Sequence, residues 1–372
     1  MKKKICFIVN TDWAFINFRL PIAQACLKKG YEVFVLTEIT DQDIVLKLKN
    51  EGIIVRALDL KRKNSNPFHL LYIIFKISVF FIKIKPAIVH LITIKPVLLG
   101  GIASRIVGID KVIVAITGLG STFLGKGAWN KIRKYLVKKL YRISLGTNNL
   151  HAIFQNEDDK NEIKNIINLS NTYLIQGSGV DLDKFSYHEE NLDQNPRVLM
   201  VARLIRDKGV IEFCEAAKEL KEEGCKAEFC IVGALDPGNP SCINQEKLDA
   251  YSKNNQVIFK GFSENVLQEL INCNLFVLPS YGEGFPKSII EASAIGRAVI
   301  TTDVSGCRDA VVDQMNGFIV KSKDIIELKT KIKFLLTNTE ERKRMGKASR
   351  SIAEKNYSIN KVVKSHLEIY KI

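Results

Sequence analysis

The chain of 372 residues lacks several things whose absence narrows its function. None of its eight cysteines forms a Cys-x2-Cys pair, and several lie inside apolar runs, which excludes a zinc ribbon or a disulfide framework and points to reduced core residues of a cytosolic protein. No Gly-x-Gly-x-x-Gly follows the first strand, so a nicotinamide-binding domain is disfavoured. No secretory leader is expected, because Lys2-Lys3-Lys4 is followed by only Ile5 to Val9 before polar Asn10, Thr11 and Asp12. No apolar stretch is both long and uncharged enough to make a confident membrane span. The most apolar, residues 68 to 84, carries Lys76 near its middle and Lys83 near its end, and reads as a helix packed on a sheet with one face open to lipid.

Acidic residues are scarce in one half only. Residues 1 to 178 hold 27 Lys and Arg against 12 Asp and Glu, whereas residues 179 to 372 hold 28 of each, so the whole net charge of +15 belongs to the first half. No nucleic-acid motif or RNP-type aromatic pattern accompanies the excess, and nucleic acid is not expected as a partner. An anionic membrane surface is, since each basic residue near one contributes about 1 kcal/mol of attraction. Residues 128 to 143 place Trp129, Ile132, Tyr135, Leu136 and Leu140 near one face, with Lys131, Arg133, Lys134, Lys138, Lys139 and Arg142 elsewhere. That pattern suits a helix at a membrane interface and equally a sheet-packing helix with a solvated basic face.

What is present is an alternation of strand and helix signals along the whole chain, an α/β pattern long enough for two domains. Strands are expected at 5–9, 32–36, 86–96, 112–116, 198–201, 229–232, 256–259 and 275–278, and closing helices at 324–336, 340–355 and 358–370. The first domain spans 1–178 and the second 179–355, with Gln176 to Phe185 as the crossing. Asp181-x-Asp183 lies in that glycine-rich crossing and reads as linker, not as a metal site.

The most informative stretch is Pro279-Ser280-Tyr281-Gly282-Glu283-Gly284-Phe285-Pro286, which follows the apolar run Leu275 to Leu278 and leads into a helix patterned by Ile289, Ile290, Ala292 and Ile295. The glycines let backbone approach a ligand, Pro286 suits the first helical position, and the free amides of a helix start at a strand end favour an anion such as a diphosphate. Glu283 and Glu291 flank the turn, seven residues apart between them. Each carboxylate suits a pair of sugar hydroxyls, while the plain alternative pairs Glu291 with Lys287 one turn earlier. Arg203 and Lys208, at another strand-to-helix turn expected to be capped by Asp207, suit a diphosphate or are surface charge. The carboxyl end of the strand 86–96 carries His90, Thr93 and Lys95, and His90 is there either a hydroxyl contact or a packed core residue.

Residues 281–296 resemble the E-x7-E string of retaining, nucleotide-sugar glycosyltransferases of family 4, with the GT-B fold of two Rossmann-like, doubly wound domains and an inter-domain cleft. The resemblance covers nearly the full length. It implies that Glu283 and the backbone of Gly284, Phe285 and Pro286 meet the donor sugar, that Glu291 holds the ribose, and that Arg203 and Lys208 hold the diphosphate. The strand ends at Gly233, Gly261 and Phe262 receive the base. In the first domain it implies an active-site loop from Asn10 to Arg19 carrying Asn17 and Arg19, glycine-softened Thr117-Gly118, and a histidine, here His90, near the sugar. Asn17-Phe18-Arg19 and His90-x-x-Thr93-x-Lys95-Pro96 are similar to a subgroup that builds bacterial surface polysaccharides. The last helix, 356–372, is expected to cross back onto the first domain. The implied reaction is metal-independent transfer of a hexose or N-acetylhexosamine from a UDP-sugar to an undecaprenyl-diphosphate-linked saccharide, by an enzyme peripheral to the inner face of the plasma membrane, in capsule, O-antigen or glycoprotein glycan assembly. The competing readings are a nucleotide-sugar 2-epimerase, which would need further acid and base carboxylates, and a non-catalytic binding protein.

Overall fold

The computed structural model describes residues 2–60, 66–119, 128–146, 149–253 and 255–372, with the side chains of 128–134 left aside. The chain divides into two compact units, one of residues 1–178 and 360–372, the other of 179–359.

The first unit is a seven-stranded sheet in the order β3-β2-β1-β4-β5-β6-β7, every pairing parallel. Its strands are Lys4–Thr11 (β1), Glu32–Glu38 (β2), Ile54–Ala57 (β3), Ile88–Ile92 (β4), Val112–Ile116 (β5), Leu150–Phe154 (β6) and Asn171–Leu174 (β7). Strands β4 and β5 are buried on both faces, which is why they read as unbroken apolar runs. One layer packs Ile73, Ile77 and Phe81 of the helix Pro67–Ile84 against the sheet, and the other holds Phe7, Phe15 and, from the last helix Ile359–Tyr370, Val362, Ile369 and Tyr370. The second unit has six parallel strands in the order β10-β9-β8-β11-β12-β13: Arg197–Val201 (β8), Glu228–Val232 (β9), Ile258–Phe259 (β10), Leu275–Leu278 (β11), Ala298–Thr302 (β12) and Gly317–Val320 (β13).

Parallel order sends all strand ends of a sheet to one edge, and ligands bind where the strand order reverses. In the first sheet the reversal lies between β1 and β4, and in the second between β8 and β11. Arg19, Thr93, Lys95, Arg203, Lys208, Glu283 and Glu291 follow these four strands, whereas Thr117 and Gly118 follow β5, Gly233 follows β9, Gly261 and Phe262 follow β10, and His90 lies within β4.

Four local expectations need correction. The segment Asn10 to Arg19 is not an open loop: Asp12–Phe18 is a helix, because the Thr11 side chain accepts from Ala14 N and caps it. Pro286 is the N-cap of the helix Lys287–Ile295, with an extended ψ of 116°, and its carbonyl accepts from Ile289 and Ile290. Asp207 caps nothing; it sits inside the short turn Arg206–Lys208, and the helix Val210–Glu222 starts at left-handed Gly209. Strand lengths are shorter than expected: 256–259 is reduced to Ile258–Phe259, and 86–96 to Ile88–Ile92, because Thr93 at φ +73° turns the chain into the helix Ile94–Val107 and takes Lys95 with it.

Gly209 has φ +74°, and a Cβ there would stand 2.0 Å from the Pro279 carbonyl oxygen, so the loops after β8 and β11 touch only because this residue has no side chain. Gly224 has a similar φ of +84° with open space around it. Gly209→Ala should therefore destabilise by about 2 kcal/mol or more and Gly224→Ala by about 1 kcal/mol. Equal midpoints for the two variants in urea denaturation would contradict the close approach.

Candidate active site

In the second unit the site begins at the loops after β8 and β11. Asp207 ties them: its carbonyl accepts from Tyr281 N at 2.8 Å and from the Ser280 hydroxyl at 3.0 Å. The Glu283 amide donates to the Ser305 carbonyl at 3.0 Å, which fixes the turn from its other side. Lys208 and Glu283, one from each loop, form an ion pair with both side chains largely shielded from solvent. The structure thus joins two residues 75 positions apart that the sequence assigned to one ligand.

Arg203 stands on the same loop but more openly, 45% exposed, and pairs with Asp236 beyond β9. Asp236 was not anticipated, since only tertiary contact reveals it. Gly233 and Gly261 meet, the amide of the first donating to the carbonyl of the second at 2.8 Å. A Cβ on Gly233 would strike the Ala202 carbonyl oxygen at 1.8 Å, so this strand end too requires bare backbone. Phe262 is exposed beside it, whereas the Phe285 ring is buried edge-on against Tyr357, at 5.4 Å, leaving only the backbone of Phe285 to face a ligand.

Glu291 lies one turn into the helix Lys287–Ile295, with 13% of its side chain exposed and Lys287 Nζ at 3.6 Å. The pairing that the spacing allowed is therefore present. Burial nonetheless dominates and raises the Glu291 carboxyl above its usual value, against the opposing pull of Lys287 and Lys184.

In the first unit, β4 carries His90 at its middle, wholly buried, with Phe7 of β1 opposite and its Nδ1 on the Tyr370 hydroxyl. Arg19 is buried, and its guanidinium donates to the Phe18 carbonyl at 2.9 Å while Nε has no partner. Burial pulls its pKa down to about 10, leaving it cationic at neutral pH. His90 Nε2, Thr93 Oγ1 and Asn10 Oδ1 are likewise buried and unpartnered. These atoms cluster about the β1–β4 reversal, and Thr93, with φ +73°, turns the chain from β4 into the helix Ile94–Val107. His366 sits 5.7 Å from His90, ring to ring. Neither it nor Tyr370 was expected, although their i, i+4 spacing places both on one helix face.

The other first-unit expectations are dispersed. Asn17 is exposed and its side chain donates to the Trp13 carbonyl at 2.9 Å. Lys95 lies in the first turn of the helix Ile94–Val107, its pKa lowered by burial against the attraction of Asp59 and Glu38. Thr117 and Gly118 follow β5 half-buried, with Gly118 at φ +115°. Gly120 and Ser121 fall outside the described residues, as do the side chains of Trp129, Lys131, Ile132, Arg133 and Lys134. Asp181 accepts from the Asp183 and Lys184 amides, as a turn does, and among the described residues no group of three His, Cys, Asp or Glu is placed to hold a metal ion.

If Glu291 accepts substrate hydroxyls as a carboxylate, ligand binding should weaken on acidification through a pH above the ordinary carboxyl value of 4.5. A carboxyl whose pKa is raised in the fold stabilises at low pH and loses that contribution as pH rises through the raised value, so ionised Glu291 costs stability at pH 7. Glu291→Gln should melt no lower than wild type at pH 7, bind nucleotide about tenfold or more weakly, and lose the acid limb. Unchanged affinity by calorimetry, with wild-type melting, would remove Glu291 from the site.

The comparisons agree with this geometry. The profile of the family described as Glycosyl transferases group 1 matches residues 183–352, and that of Glycosyl transferase 4-like matches residues 4–153. The chain is 30% identical, over 99% of its length and 98% of the relative's, to N,N'-diacetylbacillosaminyl-diphospho-undecaprenol alpha-1,3-N-acetylgalactosaminyltransferase of Campylobacter jejuni. It is 28% identical, over 65% of its length and 64% of the relative's, to UDP-Gal:alpha-D-GlcNAc-diphosphoundecaprenol alpha-1,3-galactosyltransferase of Escherichia coli. Among solved structures, sucrose-phosphate synthase of Thermosynechococcus elongatus superposes with a TM-score of 0.83 at 18% identity, covering 100% of this chain and 98% of the other. An Anabaena protein, HepE, in complex with UDP superposes with a TM-score of 0.78 at 17% identity, covering 100% of both chains. With its two parallel sheets and these relatives, the chain is an enzyme and belongs to the GT-B glycosyltransferases of the family 4 type.

Proposed function

We propose that this glycosyltransferase moves a hexose or N-acetylhexosamine from a UDP-sugar, with retention of configuration, to a saccharide on undecaprenyl diphosphate, without a metal ion. The observation that carries the reading is the convergence of Lys208, Glu283 and Arg203 on the loops at the β8–β11 reversal. The names of the Campylobacter and Escherichia relatives support the acceptor class and an alpha product, and the UDP-bound neighbour of the same fold supports the nucleotide.

Charge grows on the diphosphate as the glycosidic bond breaks, and fixed donors stabilise it best. In this reading Lys208 and the amides of Gly284 and Phe285 are those donors, and half-exposed Arg203 exchanges Asp236 for phosphate. Glu283 orients the sugar, and Glu291 the ribose. The acceptor hydroxyl attacks from the face the diphosphate leaves, and the departing oxygen takes its proton, so no side chain serves as nucleophile. In the first unit, Arg19, Thr93, Asn10 and His90 supply unpartnered polar atoms for the acceptor side.

A lipid-linked acceptor requires reach to a membrane, and the helix Pro67–Ile84 offers it. Phe68, Leu71, Phe75, Val79 and Ile82 are 82%, 63%, 64%, 46% and 60% exposed, at helical spacing opposite the buried Ile73, Ile77 and Phe81. Tyr135 and Leu136 of the helix Ala128–Leu145 are exposed as well, and the net positive charge of residues 1–178 attracts anionic lipid. We infer a peripheral enzyme at the cytoplasmic membrane face.

Arg203→Ala and Lys208→Ala should each lower kcat by about tenfold or more, with little change in which sugar is preferred. Wild type should retain full transfer in EDTA; a strict demand for Mg²⁺ or Mn²⁺ would mean that a metal, not these cations, clamps the diphosphate. Leu71→Glu/Phe75→Glu/Val79→Glu should weaken sedimentation with anionic vesicles and slow transfer to a lipid-linked acceptor, yet leave UDP binding unchanged. Vesicle binding equal to wild type would refute the lipid-facing role of this helix.

A further inference from the structure

The last helix places a tyrosine where it governs the chemistry of His90. Tyr370, 280 residues away in sequence, holds His90 Nδ1 by its hydroxyl at 2.5 Å, with the two rings edge to face at 5.7 Å. Both are buried, and the ring of Tyr370 packs into the same core layer as Phe7, Phe15 and Ile92. The question is which partner owns the shared proton. The contact itself allows either group to donate, but if Nδ1–H were the donor the Tyr370 hydroxyl proton would have no acceptor among the described residues, so the arrangement that uses it has the hydroxyl donating to Nδ1. Nδ1 then carries a lone pair, and the neutral ring bears its hydrogen on Nε2. That nitrogen is buried and has no partner of its own.

Charge in the neighbourhood favours the same neutral form. His366, 5.7 Å from His90, donates through Nδ1 to the Val362 carbonyl at 2.8 Å, and its Nε2 is therefore a bare acceptor. Burial and the Arg19 cation push His366 down to about 3, and burial, His366 and Arg19 together hold His90 well below its usual value. An imidazolium at position 90 would thus be buried beside the Arg19 guanidinium, an arrangement that burial and like charge both disfavour.

We propose that Tyr370 is a positioning residue that locks His90 as its Nε2–H tautomer, making it a neutral hydrogen-bond donor to a substrate hydroxyl or carbonyl oxygen and not an acid, a base or an anion-binding cation. This rests on the reading that His90 faces substrate, and it adds that the closing helix, Ile359–Tyr370, belongs functionally to the first unit's site. With its hydrogen on Nε2 the ring gives a hydrogen bond to a hydroxyl or carbonyl oxygen; if the proton moved to Nδ1, Nε2 could only accept from a hydroxyl and would meet a carbonyl oxygen lone pair to lone pair.

The test combines a spectroscopic and a kinetic arm on the full chain. Nitrogen-15 NMR of histidine-labelled enzyme should show His90 neutral and protonated on Nε2 at pH 7, its resonance assigned by its loss in His90→Gln. In Tyr370→Phe, which keeps the ring and loses the hydroxyl, that resonance should shift toward a mixture of tautomers. The same variant should lose roughly three- to tenfold in kcat, the scale of one neutral hydrogen bond, with nucleotide affinity unchanged. In a His90→Gln background the further loss on Tyr370→Phe should vanish, because the hydroxyl acts through the ring. A wild-type His90 protonated on Nδ1, or charged, overturns the proposal whatever the variants do. Full activity of His90→Gln overturns it by removing His90 from substrate, whereas an impaired His90→Gln beside a fully active Tyr370→Phe with altered tautomer leaves His90 in place and overturns the positioning role alone.

Discussion

Parallel strand order is the constraint on which this protein's chemistry depends. Because every strand of a sheet runs the same way, each sheet gathers its outgoing loops along one edge, and only the place where strand order reverses leaves room for a ligand. Both units repeat the solution: β1 and β4 open one such place, β8 and β11 the other. In the second unit the polar residues stand there because the adjoining strands are too apolar to carry them. Leu275–Leu278 is buried throughout, so Glu283 stands beyond its end, whereas in the first unit Asn10 and His90 lie within β1 and β4 themselves.

The two places differ in how charge is handled. At the β8–β11 reversal the two cations have carboxylate partners, Lys208 with Glu283 and Arg203 with Asp236, so in the proposed function an arriving diphosphate would exchange one anion for another. Around His90 charge is suppressed. His90 and His366 are neutral, Tyr370 is buried with its pKa pushed well above the usual value, and Arg19 beside them remains cationic. A paired site suits an ionic leaving group, and a neutral one suits hydroxyls.

Much of this was legible in the sequence because it is local. The apolar run before Pro279 and the glycines around Glu283 mark strand, turn and helix within twenty residues, and the buried strands betray themselves as unbroken β-branched runs. The helix Asp12–Phe18 was missed although Thr11 announces it as a cap, since aromatics at Trp13, Phe15 and Phe18 resemble a binding loop. Tyr370 and Asp236 could not be read at all: their partners, His90 and Arg203, lie far away in sequence, and no periodicity encodes such a pairing. The helix Pro67–Ile84 shows a different limit. It is apolar on every side, so periodicity could not reveal that Phe68, Leu71 and Phe75 point outward while Ile73 and Ile77 fill the core.

The account stands or falls on transfer itself. The enzyme should be incubated in EDTA with a panel of UDP-sugars and an undecaprenyl-diphosphate-linked saccharide, and the anomeric configuration of any product read by proton NMR. The account predicts one sugar transferred with the alpha configuration of its donor retained. A beta-linked product, or a free epimerised UDP-sugar with no transfer, would contradict it.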